Sequence, residues 1–371
     1  MSGLASRMPL LDAIKAIGCL AIVAHHLAFY GPMSDFAYPL SHGVFDSLYA
    51  YGRMAVQAFL VIAGFLCAMH LAQTSEIPGK QPWPVIRRRY VRLIVPLLAA
   101  LTIAIISSAI SRRWMNHESI SAVPNIWQLF AHVFLVQDVV DQEALSAGVW
   151  YVAIDFQLFA CMVMLFWMAG LLQRRGAVPQ HLAVIAVAGL TVASLVVFNR
   201  NSLWDETALF YFAYYGLGAL VYWASAPGHR RRSLLALIAV SALVAASLFI
   251  DFRLRIVVAA VLAFLLGAAR YTGWLHSLEV PPLLNYLGRI SYSIFLVHFP
   301  ICLLINAAFF RFMPHDPITS AFGLLLAWLG SVAGGGLFYR WIEGRRMSDA
   351  GRWGVVATFL VTGLVASWAR L

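Results

Sequence analysis

Lys15 and His26 stand eleven residues apart inside the first long apolar run of the chain, MPLLDAIKAIGCLAIVAHHLAFY. Eleven helical steps of about 100° return two side chains to within about 20° of each other, roughly 16 Å apart along the axis. One stripe of a helix would then carry a cation and a general base. A neutral imidazole can take a proton from a hydroxyl near neutral pH. Ionisable groups inside a bilayer are costly and are functional candidates for that reason. Asp12, three residues before Lys15, shares its face and should neutralise it by pairing. A structural ion pair beside a packed histidine is the other reading. His25 points about 100° away from His26, which is poor geometry for joint metal chelation.

Other residues capable of chemistry come later. Arg87, Arg88, Arg89 and Arg92 in IRRRYVRLIVPLL form a dense cationic patch. It reads as a topology determinant touching anionic lipid heads, or as a grip on phosphates through bidentate guanidinium contacts. Ser291, Tyr292, Ser293 and His298 lie in YLGRISYSIFLVHFP. Ser293 and His298 are too oblique for a direct dyad on one helix, and both serines are expected to bond backbone carbonyls. His298 stands two residues before Pro300, which frees a carbonyl. Glu343 in RWIEGRR is an acid among arginines, expected to pair with a neighbour or with Lys15. Cys19, Cys67, Cys161 and Cys302 read as small apolar residues without a disulfide framework. The chain has no CxxC or HExxH, so no metal is expected.

The elements that hold these residues follow from composition. Of 371 residues, 62% are hydrophobic and 11% charged, which excludes a soluble domain of this size. The expected fold is all-α, a polytopic membrane helix bundle of about 10–11 transmembrane helices forming one domain over 1–371. Apolar runs fall at 10–30, 49–72, 90–110, 149–172, 181–199, 207–225, 233–250, 254–271, 290–312, 318–340 and 353–370. The stretch Ile126–Val140 is shorter and reads as a re-entrant or interfacial helix. The connection 111–148 around it, with His117, Glu118, Asp138, Asp141 and Glu143, reads as a solvated connector or a lid.

With the N-terminus cytoplasmic, 18 of the 26 Lys and Arg residues fall on the inner side. Arg7 and Lys80 are among them, and Arg370 is one of the outer eight. That asymmetry predicts eleven spans with the C-terminus outside. The net charge of +10 then reflects membrane topology and does not suggest nucleic acid. The first span carries Asp12 and Lys15 in its body and does not read as a cleaved leader. No Gly-rich phosphate loop follows a strand, which excludes a dehydrogenase or a nucleotide hydrolase.

Taken together, the segments resemble the bacterial acyltransferase-3 family of integral-membrane acyl-CoA:sugar O-acyltransferases. LDAIKAIGCLAIVAHH is similar to that family's Arg/Lys-x10-His signature, and YGRMAVQAFLVIAGF to its second-helix motif with Val56, Phe59, Gly64 and Phe65. RRRYVRLIVP is similar to its arginine–proline motif, GVWYVAIDFQLF to its tryptophan–acid helix, and GRISYSIFLVHFP to its Ser-Tyr-Ser…His segment. Departures are Ala55 and Ala63 where the family often has glycine and serine, Asp155 for its glutamate, and Gly344 after Glu343 without a nearby proline. The form expected from the resemblance is the stand-alone one, without a hydrolase-like C-terminal domain.

The resemblance implies His26, Lys15 and Glu343 as catalytic residues and Arg87, Arg88, Arg89 and Arg92 as the acyl-CoA grip. It implies supporting or substrate roles for Asp12, Arg53, Trp150, Asp155, Ser291, Tyr292 and His298. The implied reaction moves an acyl group, acetyl foremost, from cytoplasmic acyl-CoA to a hydroxyl of an extracytoplasmic or lipid-linked sugar. It would take place in the bacterial inner membrane and need no metal. A flippase for a lipid-linked sugar, or a scaffold with a decayed site, would fit the same intramembrane charges.

Overall fold

The computed structural model describes residues 8–73, 81–176, 179, 181–228 and 230–369. Arg7, Lys80 and Arg370 of the charge tally lie outside the described residues. In order, the helices are α1 (Pro9–Leu27), α2 (Pro32–Ala37), α3 (His42–Tyr51), α4 (Ala55–Gln73), α5 (Trp83–Ser111) and α6 (Ile126–Phe134). There follow α7 (Val149–Arg174), α8 (Leu182–Val196), α9 (Ala208–Ala224), α10 (Arg230–Ile250) and α11 (Leu254–Thr272). The last are α12 (Trp274–Ser277), α13 (Pro282–Phe312), α14 (Pro317–Phe338) and α15 (Asp349–Trp368). Lipid offers no partner to a backbone amide, so apolar runs of this length close their hydrogen bonds internally as helices.

Among the described residues ten helical spans are long and apolar enough to cross a bilayer. They match ten of the eleven expected runs. The eleventh run, 207–225, forms the 17-residue α9, about 25 Å long and short of a full hydrocarbon core. The run expected from 49 starts earlier, because α3 joins α4 through a tight 3₁₀ turn at Gly52–Met54.

The chain packs as two compact units of interleaved segments. The first comprises residues 1–15, 56–90 and 154–285. Its most buried element is α9, inaccessible along most of its length from Phe210 to Ala224. Close approach explains this. A Cβ on Gly64 of α4 would stand 1.9 Å from the Tyr215 carbonyl oxygen, and one on Gly218 would stand 2.1 Å from that of Val61. Only glycine lets these two backbones touch.

The second unit comprises residues 16–55, 91–153 and 286–371, and α13 is its core. Within it α13 runs parallel to α1, with contacts at a nearly constant offset. Cys19 meets Ser291, His26 meets His298 and Cys302 meets Tyr30, each 272 residues apart.

The expectation of a solvated connector at 111–148 is corrected. Met115, Gln128, Leu129, His132, Leu135, Gln137, Leu145 and Ser146 are all buried. The helix expected over 126–140 stops at Phe134, because Leu135 turns left-handed at φ 57°. It starts on a reciprocal cap: the Asn125 side chain accepts from the Gln128 amide, and the Gln128 side chain accepts from the Asn125 amide.

Candidate active site

Helix α13 clamps the end of α1 on both sides of His26. Asn306 accepts from the Met33 amide at 3.1 Å and donates to the carbonyls of Tyr30 and Cys302, both at 3.1 Å. The chain turns there on Gly31, at φ 108°, where a Cβ would overlap the Asn306 side chain at 2.3 Å. Below His26, the Cys19 thiol donates to the Ser291 carbonyl at 3.2 Å. The catalytic candidate is thus held from two points, one turn beyond it and two turns before it.

Between these clamps, His26 Nδ1 lies 2.6 Å from His298 Nε2. The ring planes are only 14° apart and the centroids 4.9 Å apart. That separation exceeds the N···N distance by about one ring diameter, so the rings meet edge to edge and do not overlap. Chemistry then assigns the protons. His298 Nδ1 lies 2.6 Å from the Phe295 carbonyl oxygen, which can only accept, so Nδ1 carries the hydrogen. In the neutral ring Nε2 is then an acceptor, and His26 donates to it from Nδ1. What remains is His26 Nε2 with its lone pair, and among the described residues no hydrogen-bond partner meets it. That nitrogen could accept a proton, and the second imidazole behind the ring fixes its orientation.

His25 is organised differently. Its Nδ1–H donates to the Leu48 carbonyl of α3 at 2.8 Å, and its ring packs on Phe29 and Tyr49. The exposed Arg53 lies within electrostatic reach of it. Trp150 is half-buried at the start of α7, edge-on to Tyr151, whose ring meets Phe295 at 5.5 Å. Phe295 supplies the carbonyl that fixes His298, so this aromatic row props the histidine pair.

Further toward the N-terminal end of α13, the serines part company. Ser291 donates to the Gly288 carbonyl at 2.9 Å, as expected of a serine in a membrane helix. Ser293 departs from that expectation by donating to Glu343 Oε2 at 2.5 Å. Glu343 ends a π-helical turn, Tyr339–Glu343, that closes when the Gly344 amide donates to the Tyr339 carbonyl. Such a widened turn re-aims a side chain. Arg92 acts on the same carboxylate electrostatically, and Tyr292 donates to the Leu93 carbonyl at 2.9 Å.

In the first unit, Lys15 and Asp12 pair at 3.5 Å across one helical turn. Arg89 meets Asp155 at 2.5 Å and lies over the Phe159 ring. Asp155 is buried, so this pair ties α5 to α7. Arg87, Arg88 and Arg92 are exposed. The four cationic candidates therefore divide into one committed to a buried acid and three at the surface.

No local pattern singles out Asn306 or His132, or joins His26 with His298. Buried His132 donates from Nδ1 to the Gln128 carbonyl at 2.8 Å and accepts at Nε2 from the Leu145 amide at 3.1 Å. Burial pushes it down to about 4, and it stays neutral. The one available signal was the matching seven-residue spacing, Cys19 to His26 and Ser291 to His298.

The family whose description reads "Acyltransferase domain", acyltransferase 3, matches residues 9–340. A curated relative from Caenorhabditis elegans, "Regulator of hypoxia-inducible factor 1", is 24% identical over 168 residues. That match covers 42% of this chain and 33% of the relative, so the chain spans about a third of the relative's length. No solved structure matches.

Proposed function

We propose, from the premise that the chain belongs to the acyltransferase-3 family, that this membrane acyltransferase moves an acyl group, acetyl foremost, from acyl-CoA to a sugar hydroxyl with His26 as general base. The observation that carries this reading is the histidine pair, which leaves one lone pair, on His26 Nε2, without a hydrogen-bond partner among the described residues. The acceptor hydroxyl gives its proton to that nitrogen while its oxygen attacks the thioester carbonyl. The C–S bond then breaks, and the proton on His26 passes to the leaving thiolate. The products are an O-acyl sugar and free CoA, and no redox partner or metal enters the balance.

The donor's phosphates suit Arg87, Arg88 and Arg92, exposed at the N-terminal end of α5. Tyr292 meets Leu93, and from that level to His298 is six residues of α13, about 9 Å. An extended thiol arm laid along the helices would carry the thioester toward the base. Lys15, on the stripe of α1 that bears His26, meets the donor or orients its helix. Glu343, aimed by the π-turn and held by Ser293, supports the same end. In this reading the N-terminus is cytoplasmic, the membrane is a bacterial inner membrane, and the acceptor sugar arrives from the outer side.

Mass spectrometry of cell-surface glycans tests it, comparing cells carrying the intact chain with cells carrying His26→Ala. One acyl mass gained only with His26 present is the expected result. Equal acylation by the two proteins, both inserted, would overturn the assignment. Sugar moved across the membrane with its mass unchanged would favour a flippase.

A further inference from the structure

Helices α5 and α15, both of the second unit, leave a groove of about 670 Å³ between their C-terminal halves. That volume lies within the range of small-molecule sites. Its length is lined by Ile106, Ile110, Val361 and Val365, all exposed on the helix surfaces. Those walls would accept any lipid tail and select none. The end where α5 stops is different, because Arg113 brings a cation and Trp114 an indole to the same groove. A guanidinium at the mouth of an apolar trough selects a chain with an anionic head.

A second observation connects this groove with the histidine pair. Trp114 packs on the cluster of Met115, Phe299 and Leu303, and Tyr30 packs on the same cluster. The Tyr30 ring lies 5.2 Å from that of Phe299 and 5.3 Å from that of His26. The buried cluster and then Tyr30 thus stand between the polar end of the groove and the candidate base. The Ser111 hydroxyl donates to the Leu303 carbonyl at 3.3 Å, which sets the end of α5 only about 8 Å along α13 from His298.

We propose that this groove receives, sideways from the bilayer, the apolar chain of an acceptor carried on a lipid phosphate, with that phosphate on Arg113. This rests on the acyltransferase reading and names how its acceptor is held. The chain would lie along α5 and α15, and the sugar beyond the phosphate would be delivered on the side of the groove that faces Tyr30. No covalent step occurs in the groove itself.

The test uses the full chain in phosphatidylcholine nanodiscs and photo-crosslinking with a diazirine-bearing farnesyl phosphate, with the matching farnesol as control. Labelling of residues 105–114 and 361–366 is expected, at least fivefold stronger for the phosphate than for the alcohol. Arg113→Gln should remove that preference, and Val361→Trp should block both probes. Equal labelling by phosphate and alcohol, or a preference that survives Arg113→Gln, would overturn the proposal. So would full competition by millimolar inorganic phosphate, which would make Arg113 a site for a soluble anion. His26→Ala should label like the wild type, so a failure of the catalytic reading shows in transfer while a failure of the groove shows in labelling. Arg113→Gln alters an exposed side chain and keeps the test decisive if Val361→Trp does not fold.

Discussion

His26 and His132 are both buried, both lie near the C-terminal end of a helix, and both place their Nδ1 hydrogen on a fixed acceptor. At Nε2 they differ. His132 receives the Leu145 amide there, so both nitrogens are used and the ring staples α6 to the segment after it. His26 has no such donor facing Nε2 among the described residues, and its Nδ1 partner is another imidazole. Burial alone therefore does not distinguish a histidine with both nitrogens engaged from one with a nitrogen left open. Counting donors and acceptors does, because a saturated ring has no lone pair for substrate and an unsaturated one has.

The largest effect expected from this contrast is at His26. His26→Ala should lower transfer by about 10²- to 10⁴-fold, the usual worth of a positioned general base. His132→Ala should leave turnover per folded molecule within a few-fold of wild type. Single-turnover acyl transfer on purified protein, normalised to folded fraction, checks both, and equal losses would erase the distinction. Next is His298, which holds the His26 tautomer. His298→Ala should lower kcat by about 10- to 1,000-fold with little change in KM. It should also displace the limb of the pH–rate profile that reports the base, which a merely structural role would leave in place.

His132 should register in stability. Its loss strands the Leu145 amide and the Gln128 carbonyl's side-chain contact, which should cost about 2–3 kcal/mol. Thermal unfolding in detergent reads this, with the catalytic constants of the folded fraction unchanged. Acid sharpens the same point. Because His132 has a folded value of about 4, below the ordinary 6.5, the open form binds the proton more readily. The stability is complete above about 6.5 and is lost as the pH falls toward 4, by up to about 3 kcal/mol for local opening. Hydrogen exchange over 126–145, corrected for intrinsic rates, should accelerate across that window and should not in His132→Gln.

The spans and the Lys15–Asp12 pair were legible because each depends on local periodicity or on the length of an apolar run. What was hidden depends on pairing between distant helices. His298 stood out for the proline two residues on, yet its partner lies 272 residues away, and nothing in either segment specifies the other. The connector 111–148 misled for a related reason. Its charged residues stay toward the surface, whereas its core consists of single apolar and amide residues without a period. Arg89 read as one of four equal cations, and only packing against α7 reveals that Asp155 claims it.

The smallest expected effect separates two serines two residues apart on α13. Ser291 closes a local bond to the Gly288 carbonyl, an acceptor already engaged in the helix ladder. Ser291→Ala should therefore change stability by no more than about 0.5 kcal/mol and turnover by less than twofold. Ser293→Ala removes the donor to Glu343 and leaves a half-buried carboxylate with the Arg92 field as its support. Its cost should be larger, about 1–3 kcal/mol for a hydrogen bond to a charged group, and Glu343→Gln in the same background should recover part of it. A double-mutant cycle on Ser293 and Glu343, with Ser291→Ala as the neutral reference, measures this. A coupling near zero would mean that the carboxylate is held by the cationic field alone, and the π-turn would then lose its place in the argument for the site.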